Sequence, residues 1–223
     1  MSAGLLLALQ HGDSLFPSGG FAFSQGLEAT AAEAECLGSL DLARFIGAQI
    51  RRRWAGFDRV AVIRAHRAGQ DLDALAALDQ EIEASSPIEA FRTGSRRNGA
   101  ALLTTHERLG TEGAAAYRRL LRQGAALGHL AVVQGLVWRA LGLGEAEAAT
   151  LSGYVAVTGL ATAAIRLGLV GAIEAQRVIA GALALVAAET APVADGQPLA
   201  AFLPLADIAV CRHGRSGQRL FSN

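Results

Sequence analysis

The chain has 223 residues and a mass of 23.0 kDa, with 52% apolar and 18% charged side chains, enough for one sizeable core and too polar for a protein of many membrane spans. Its twenty basic and twenty acidic residues cancel, so it lacks the basic excess with which a dedicated nucleic-acid binder neutralises phosphate. The bases are all arginine. Without lysine there is no Walker A loop and no Schiff base, which removes P-loop NTPases and pyridoxal-phosphate enzymes. Cys36 and Cys211 stand far apart and in no CxxC pair, which points to a reducing compartment rather than a disulfide framework or a thiolate zinc site. The opening MSAGLLLALQHGD has neither a basic flank nor the long apolar run of a signal peptide, so a cytoplasmic location is expected.

Abundant Ala and Gly with only 5% aromatics favour close-packed helices over strands. Leu40, Leu42, Ile46, Ile50, Trp54, Phe57 and Ala61 recur at mostly three and four, predicting one long amphipathic helix over 39–68. A second begins after Asp71, with Leu72, Leu75, Leu78 and Ile82 on one face. Ser86-Pro87-Ile88-Glu89 reads as the start of a third, with Ser86 as N-cap, Pro87 in the first position and Glu89 closing a capping box. Further helices are predicted over 113–123, 128–141, 145–167 and 171–190, the last two buried on most sides. The eighteen uncharged residues from Ala148 to Ile165 contain Thr150, Ser152, Gly153, Thr158, Gly159 and Thr162, poor material for a bilayer span and suited to a central helix. From Ala191 onward Pro192, Gly196, Pro198 and Pro204 are expected to break any helix, and Arg212, Arg215 and Arg219 follow Asp207 without another acid. The expectation is therefore an all-α single-domain bundle of roughly eight to ten helices over 1–190, with an irregular, partner-binding tail over 191–223.

Little of this sequence points to chemistry. Ala22-Phe23-Ser24-Gln25-Gly26 approximates a nucleophile elbow, but an elbow needs a preceding strand and Phe16 to Gly20 reads as a loop; a helical serine hydrolase using Ser24 is the alternative function. His11, His66, His106, His129 and His213 form no close ligand pair, so structural or surface roles are expected and no metal site is assigned. Arg51-Arg52-Arg53 spreads over about 200° of a helix and presents no single basic face.

Two terminal segments are not explained by packing: Pro17-Ser18-Gly19-Gly20-Phe21-Ala22-Phe23-Ser24-Gln25-Gly26-Leu27-Glu28, and Asp207-Ile208-Ala209-Val210-Cys211-Arg212-His213 followed by Arg219-Leu220-Phe221. The first resembles the P-x-G-G-[FY]-x-[FY]-S-x-G-[LI]-E signature of the urease accessory protein UreF family, and the second its closing D-I-[AG]-x-x-x-H and R-L-F. Between them Glu89, Arg92 and Gly99 resemble positions of the family's middle helix, Ala163-Ala164-Ile165-Arg166-Leu167 its [SA]-A-x-R-L segment, and Gln176 and Arg177 also fit. Leu169, Ala172 and Gly214 depart from the usual Pro, Gln and acidic residue.

The resemblance implies an all-α homodimeric scaffold, not an enzyme, that joins UreD (UreH) and the GTPase UreG in the complex loading nickel into apo-urease. No cofactor is then expected in the chain itself, with nickel and GTP handled by the partners, and no nucleic acid or membrane is engaged. Pro17, Gly19, Gly20, Phe21, Ser24, Gly26, Glu28, Glu89, Arg92, Arg166 and Gln176 become candidates for partner or dimer contacts. Asp207, Ile208, Arg212, His213, Arg219, Leu220 and Phe221 become candidates for binding UreD, in a tail expected to order on contact.

Overall fold

The computed structural model describes residues 3–20, 23–37, 41–189, 191–213 and 221, without the side chains of 34–37. Among the described residues there is no strand. The helices are α1 (Ala3–Gly12), α2 (Leu27–Leu37), α3 (Leu42–Gln49), a π-helical segment (Ile50–Asp58), α4 (Arg59–Ala68), α5 (Leu72–Ser85), α6 (Glu89–Arg108), α7 (Ala114–Arg122), α8 (Leu130–Ala140), α9 (Glu145–Arg166), α10 (Ala172–Ala188) and α11 (Pro204–His213). The all-α expectation is met. Phe21, Arg215, Arg219 and Leu220 lie outside the described residues.

From Leu42 to Ala68 the predicted long helix is continuous, but its middle is π-helical. Asp41 caps its start by accepting from the Arg44 amide at 2.9 Å, and Asp71 caps α5 in the same way through Ala74 at 3.0 Å, each satisfying a donor that has no partner within the helix. The π segment bonds sideways as well as along its axis. Its Arg52 and Gly56 carbonyls accept from the Phe202 and Ala200 amides, each at 2.9 Å, which lays the segment before α11 along this helix.

The α6 start differs from the sequence reading. Helix α6 begins at Glu89 with Ile88 as N-cap and no side-chain cap, because Ser86 ends α5 in an extended conformation and its carbonyl accepts from Arg92 Nη1 at 2.6 Å. The predicted capping box does not form, and no side chain caps the α6 start.

Helix α8 is the most enclosed element, buried without a break from Ala131 to Trp138. It crosses α4 at Gly135, where a Cβ would lie 2.5 Å from both Ala65 Cβ and the Val62 carbonyl oxygen; only glycine lets the two backbones meet. Around this crossing α5, α6, α7 and α9 add Leu75, Leu78, Leu103, Tyr117 and Leu151 to the larger core. A second core joins α2, α3, the π segment, α9 and α10 through Leu27, Ile46, Ile50, Trp54, Leu160 and Val186. Helix α9 is long and apolar enough to cross a membrane, yet half of its most apolar stretch is buried, and Leu151 and Val157 serve different cores. Helix α10 is less enclosed than expected: only Ala175, Ala182 and Val186 are buried, and Ile173 is exposed. Its alanine-rich composition raises apolar content without requiring burial on every side.

The C-terminal expectation is corrected too. Pro204 does not break a helix; it opens α11, where the missing N–H and fixed φ of proline cost nothing. Helix α11 packs on α2, burying Ala206, Ala209 and Val210.

Candidate functional site

The N-terminal signature builds a tight turn into α2. Ser24 is fully buried; its carbonyl accepts from the Leu27 amide at 3.0 Å and its hydroxyl from the Glu28 amide at 3.4 Å. Gln25 and Gly26 both have positive φ, 51° and 84°, and the Gln25 carbonyl is held by Gln49 Nε2 from α3 at 3.1 Å. Gly26 is needed twice over. Its φ disfavours a side chain, and a Cβ there would lie 3.1 Å from Val210 Cγ2 on α11 and 3.3 Å from Phe91 Cζ on α6. This turn is where the first and last helices of the signature meet.

In the first turn of α2, Glu28 is buried and receives the C-terminal segment. Its Oε2 accepts from the Phe221 amide at 3.2 Å and stands 3.9 Å from His213 Nε2. The Phe221 ring is buried beside Leu27 and Ile46, and the Arg166 guanidinium, from the end of α9, lies 4.3 Å from its centroid. A cation over a desolvated ring is worth about 1–2 kcal/mol. Arg212 pairs with Glu33 on the rim at 3.3 Å. Thus Ser24, Gly26 and Glu28 of the first signature, Arg166, and His213 and Phe221 of the last form one assembly, flanked by the second core on the Phe221 side and by a small apolar cluster of Ala29, Phe91, Ala209 and Val210 on the Gly26 side.

Beside it Arg53 lies 5.1 Å from the Phe91 ring. Burial pushes the Asp207 carboxyl up, against the opposing pull of Arg53. Outside this packed seam, Phe202, Leu205 and Ile208 are 73%, 80% and 47% exposed. A segment that buries Val210 while presenting Leu205 and Ile208 has an inner face already occupied and an outer apolar face open to a partner.

Other candidates fall elsewhere. Arg92 is half-buried and fully engaged, with Nε 3.2 Å from Glu83 and Nη1 donating to the Ser86 and Pro87 carbonyls at 2.6 and 3.2 Å. Glu89 and Gln176 are exposed on α6 and α10. Pro17 and Gly19 are exposed and Gly20 is half-buried; the Pro17 carbonyl accepts from Thr105 Oγ1 of α6 at 2.9 Å.

Two residues that organise the bundle escaped the sequence reading. Asp79 is fully buried; its carboxylate accepts from the Leu127, Gly128 and His129 amides at 2.9, 2.7 and 2.8 Å and from the Tyr117 hydroxyl. Burial and this carboxylate push the Tyr117 phenol well up. Glu83, one turn on, joins Arg92, Arg96 and His129; burial lowers the His129 pKa despite the two nearby carboxylates. Asp79 falls between Leu78 and Ile82 on the apolar stripe of α5. A carboxylate there was the available signal, since a buried charge must be met by donors.

Catalysis by Ser24 finds no support in this geometry: the hydroxyl is buried at a helix start, and the described residues contain no strand to form an elbow. No group of three or more His, Cys, Asp or Glu is gathered as a metal site among the described residues.

Fold and site together define an all-α protein whose two terminal signatures close on each other and leave an apolar outer face. The UreF family profile matches residues 38–183, between those signatures. The chain is 29% identical to the urease accessory protein UreF of Trichodesmium erythraeum (98% of this chain, 96% of that protein). It is also 29% identical to UreF 1 of Brucella melitensis (99% and 93%) and 24% identical to UreF of Yersinia enterocolitica (98% and 98%). The chain belongs to the UreF family of urease accessory proteins.

Proposed function

We propose that this protein is a non-catalytic cytoplasmic scaffold that bridges UreD (UreH) and the GTPase UreG in the complex delivering nickel to apo-urease, and that it couples or regulates GTP hydrolysis by UreG. The observation that carries this reading is the terminal assembly, in which α11 packs on α2 with His213 and Arg212 beside Glu28 and Glu33 and Phe221 is held by Glu28 and Arg166, while Phe202, Leu205 and Ile208 face outward. Such a pre-ordered apolar surface suits a protein partner, here UreD, because little ordering entropy is lost on contact. Nickel and GTP are left to the partners, and the chain needs no cofactor of its own.

The same scaffold acts as a homodimer in this reading. The outward side of α9 carries Tyr154, Thr162 and Ile165 with no charge from Ala148 to Ile165, and α10 adds Ile173 and Ala180 beside the oppositely charged Glu174 and Arg177, so two copies can meet along α9 without like-charge repulsion. If an arginine acts on the UreG nucleotide, it is neither Arg92, which is engaged by Glu83 and two carbonyls, nor Arg166, which lies over Phe221. The test is co-purification with UreD and UreG separately. Leu205→Glu with Ile208→Glu removes UreD and spares the dimer; undiminished UreD capture by that variant rejects the assignment.

A further inference from the structure

Helix α1 and the turn after it are fastened to α6 by a ring cluster. His11 and His106 are 6% and 0% exposed, their rings near parallel at 8° with centroids 5.3 Å apart. Phe16 leans on both, at 4.4 and 5.7 Å. His11 Nδ1 is 2.8 Å from the Leu7 carbonyl. A carbonyl only accepts, so Nδ1 carries the proton in neutral His11 and Nε2 is a bare lone pair. His106 Nδ1 meets Thr111 Oγ1 at 2.9 Å. The Nε2 atoms of both rings are buried without a hydrogen-bond partner.

We propose that the His11–His106 pair is a proton-sensitive clasp: uncharged, it holds α1 and the 13–20 turn against α6; protonated, it releases them. A proton on His11 Nε2 creates a buried N–H with no acceptor, facing a second imidazole. The surrounding charges offer no relief. Helix α1 has no other ionisable side chain. In the turn, the Asp13 carboxylate accepts from the Leu15 amide. On α6, Glu107 is paired with Arg118 and Arg122 of α7, and Arg108 and Glu112 flank the helix end. From α9, Glu147 stands beside Gly4 and Tyr154 beside Gly12, Glu147 accepting from the Gly144 amide. None of these forms an ion pair with either ring. Burial, with His11 as a like neighbour, lowers the His106 pKa from 6.5 to about 4, and burial lowers that of His11.

The sign follows. A group whose pKa is lower in the closed form binds more protons when open, so the clasp is at full strength above about 6.5 and weakens as pH falls from there toward about 4, by up to tenfold per pH unit for each proton taken up. What opens is the arm carrying Pro17 and Gly19, held otherwise by the Thr105–Pro17 hydrogen bond, by Gly19 against Ala101 of α6 and by the packing of α1 on α9 and of Leu7 and Ala8 on the larger core. This inference is independent of the nickel-delivery reading.

Amide exchange on the full chain at pH 7.5, 6.5, 5.5 and 5.0, corrected for intrinsic rates, tests it. Protection of 3–12 should fall by up to tenfold per unit below 6.5 while that of 130–140 holds, and His106→Phe, which keeps a ring in the stack, should flatten the slope. An unchanged slope in His106→Phe and in His11→Phe overturns the proposal. Should either variant fold poorly, imidazole titration by NMR in the unaltered chain decides: midpoints well below 6.5 for His11 and His106 uphold the clasp, and midpoints at or above 6.5 refute it.

Discussion

The α4–α8 crossing and the α2–α11 seam solve different problems with similar residues. At the crossing everything is consumed: Gly135 admits the neighbouring backbone, and the nearby Asp79 spends its carboxylate on three amides and a phenol. At the seam the inner contacts are just as specific, Gly26 against Val210 and Glu33 to Arg212, with Glu28 and Arg166 holding Phe221 beside them, but the outer face keeps Leu205 and Ile208 in solvent. A closed interior gives stability. A closed inner face with an open outer one gives a surface of fixed shape, as a scaffold needs.

Substitutions should separate the two. Asp79→Ala leaves three amides and the Tyr117 hydroxyl without an acceptor and is expected to cost about 3–5 kcal/mol, as for one partner removed from a buried polar cluster. Urea denaturation followed by circular dichroism reads this as a large drop in midpoint; a loss under about 1 kcal/mol would mean the region rearranges at little cost and is not the rigid half. Next, Gly135→Leu forces α4 and α8 apart and should lower the same midpoint by about 1–3 kcal/mol or more.

At the seam the effects should be smaller and local. Phe221→Ala empties a buried site under Arg166 and should loosen 204–213 in amide exchange about tenfold, with α8 unaffected. That corresponds to about 1.4 kcal/mol, less than the about 3–5 kcal/mol of a Phe→Ala change in a core that cannot relax. The smallest stability effect is predicted for Leu205→Glu with Ile208→Glu, within about 0.5 kcal/mol of the parent, although this pair has the largest expected effect on partner binding.

The sequence discloses these regions unevenly, for physical reasons. Helix α5 is legible because Leu75, Leu78 and Ile82 repeat with the helical period and Asp71 marks its start, and α9 because its uncharged run is bounded by a glycine. Helix α6 starts later than expected because Ser86 ends α5 and Ile88 is left as the N-cap, which local pattern does not reveal. The enclosure of α10 was overestimated, since alanine suits a half-exposed helix as well as a core. Proline at 204 has two local meanings, break or first turn, and only packing on α2 selects the second. The site residues were found as two motifs, while their union through Glu28 and Phe221 is a long-range contact that periodicity does not encode. Asp79 and the His11–His106 pair were missed as organisers because their meaning lies in what surrounds them.

The central claim is that the outer face of α11 recruits a partner while the inner face holds the fold. It is tested most directly by presenting the purified Leu205→Glu/Ile208→Glu chain to UreD beside the unaltered chain, with light scattering and a melting curve on both. The account predicts an unchanged melting temperature, a mass near twice 23.0 kDa for both proteins, and loss of UreD from the variant alone. Full retention of UreD by a well-folded variant dimer would contradict it.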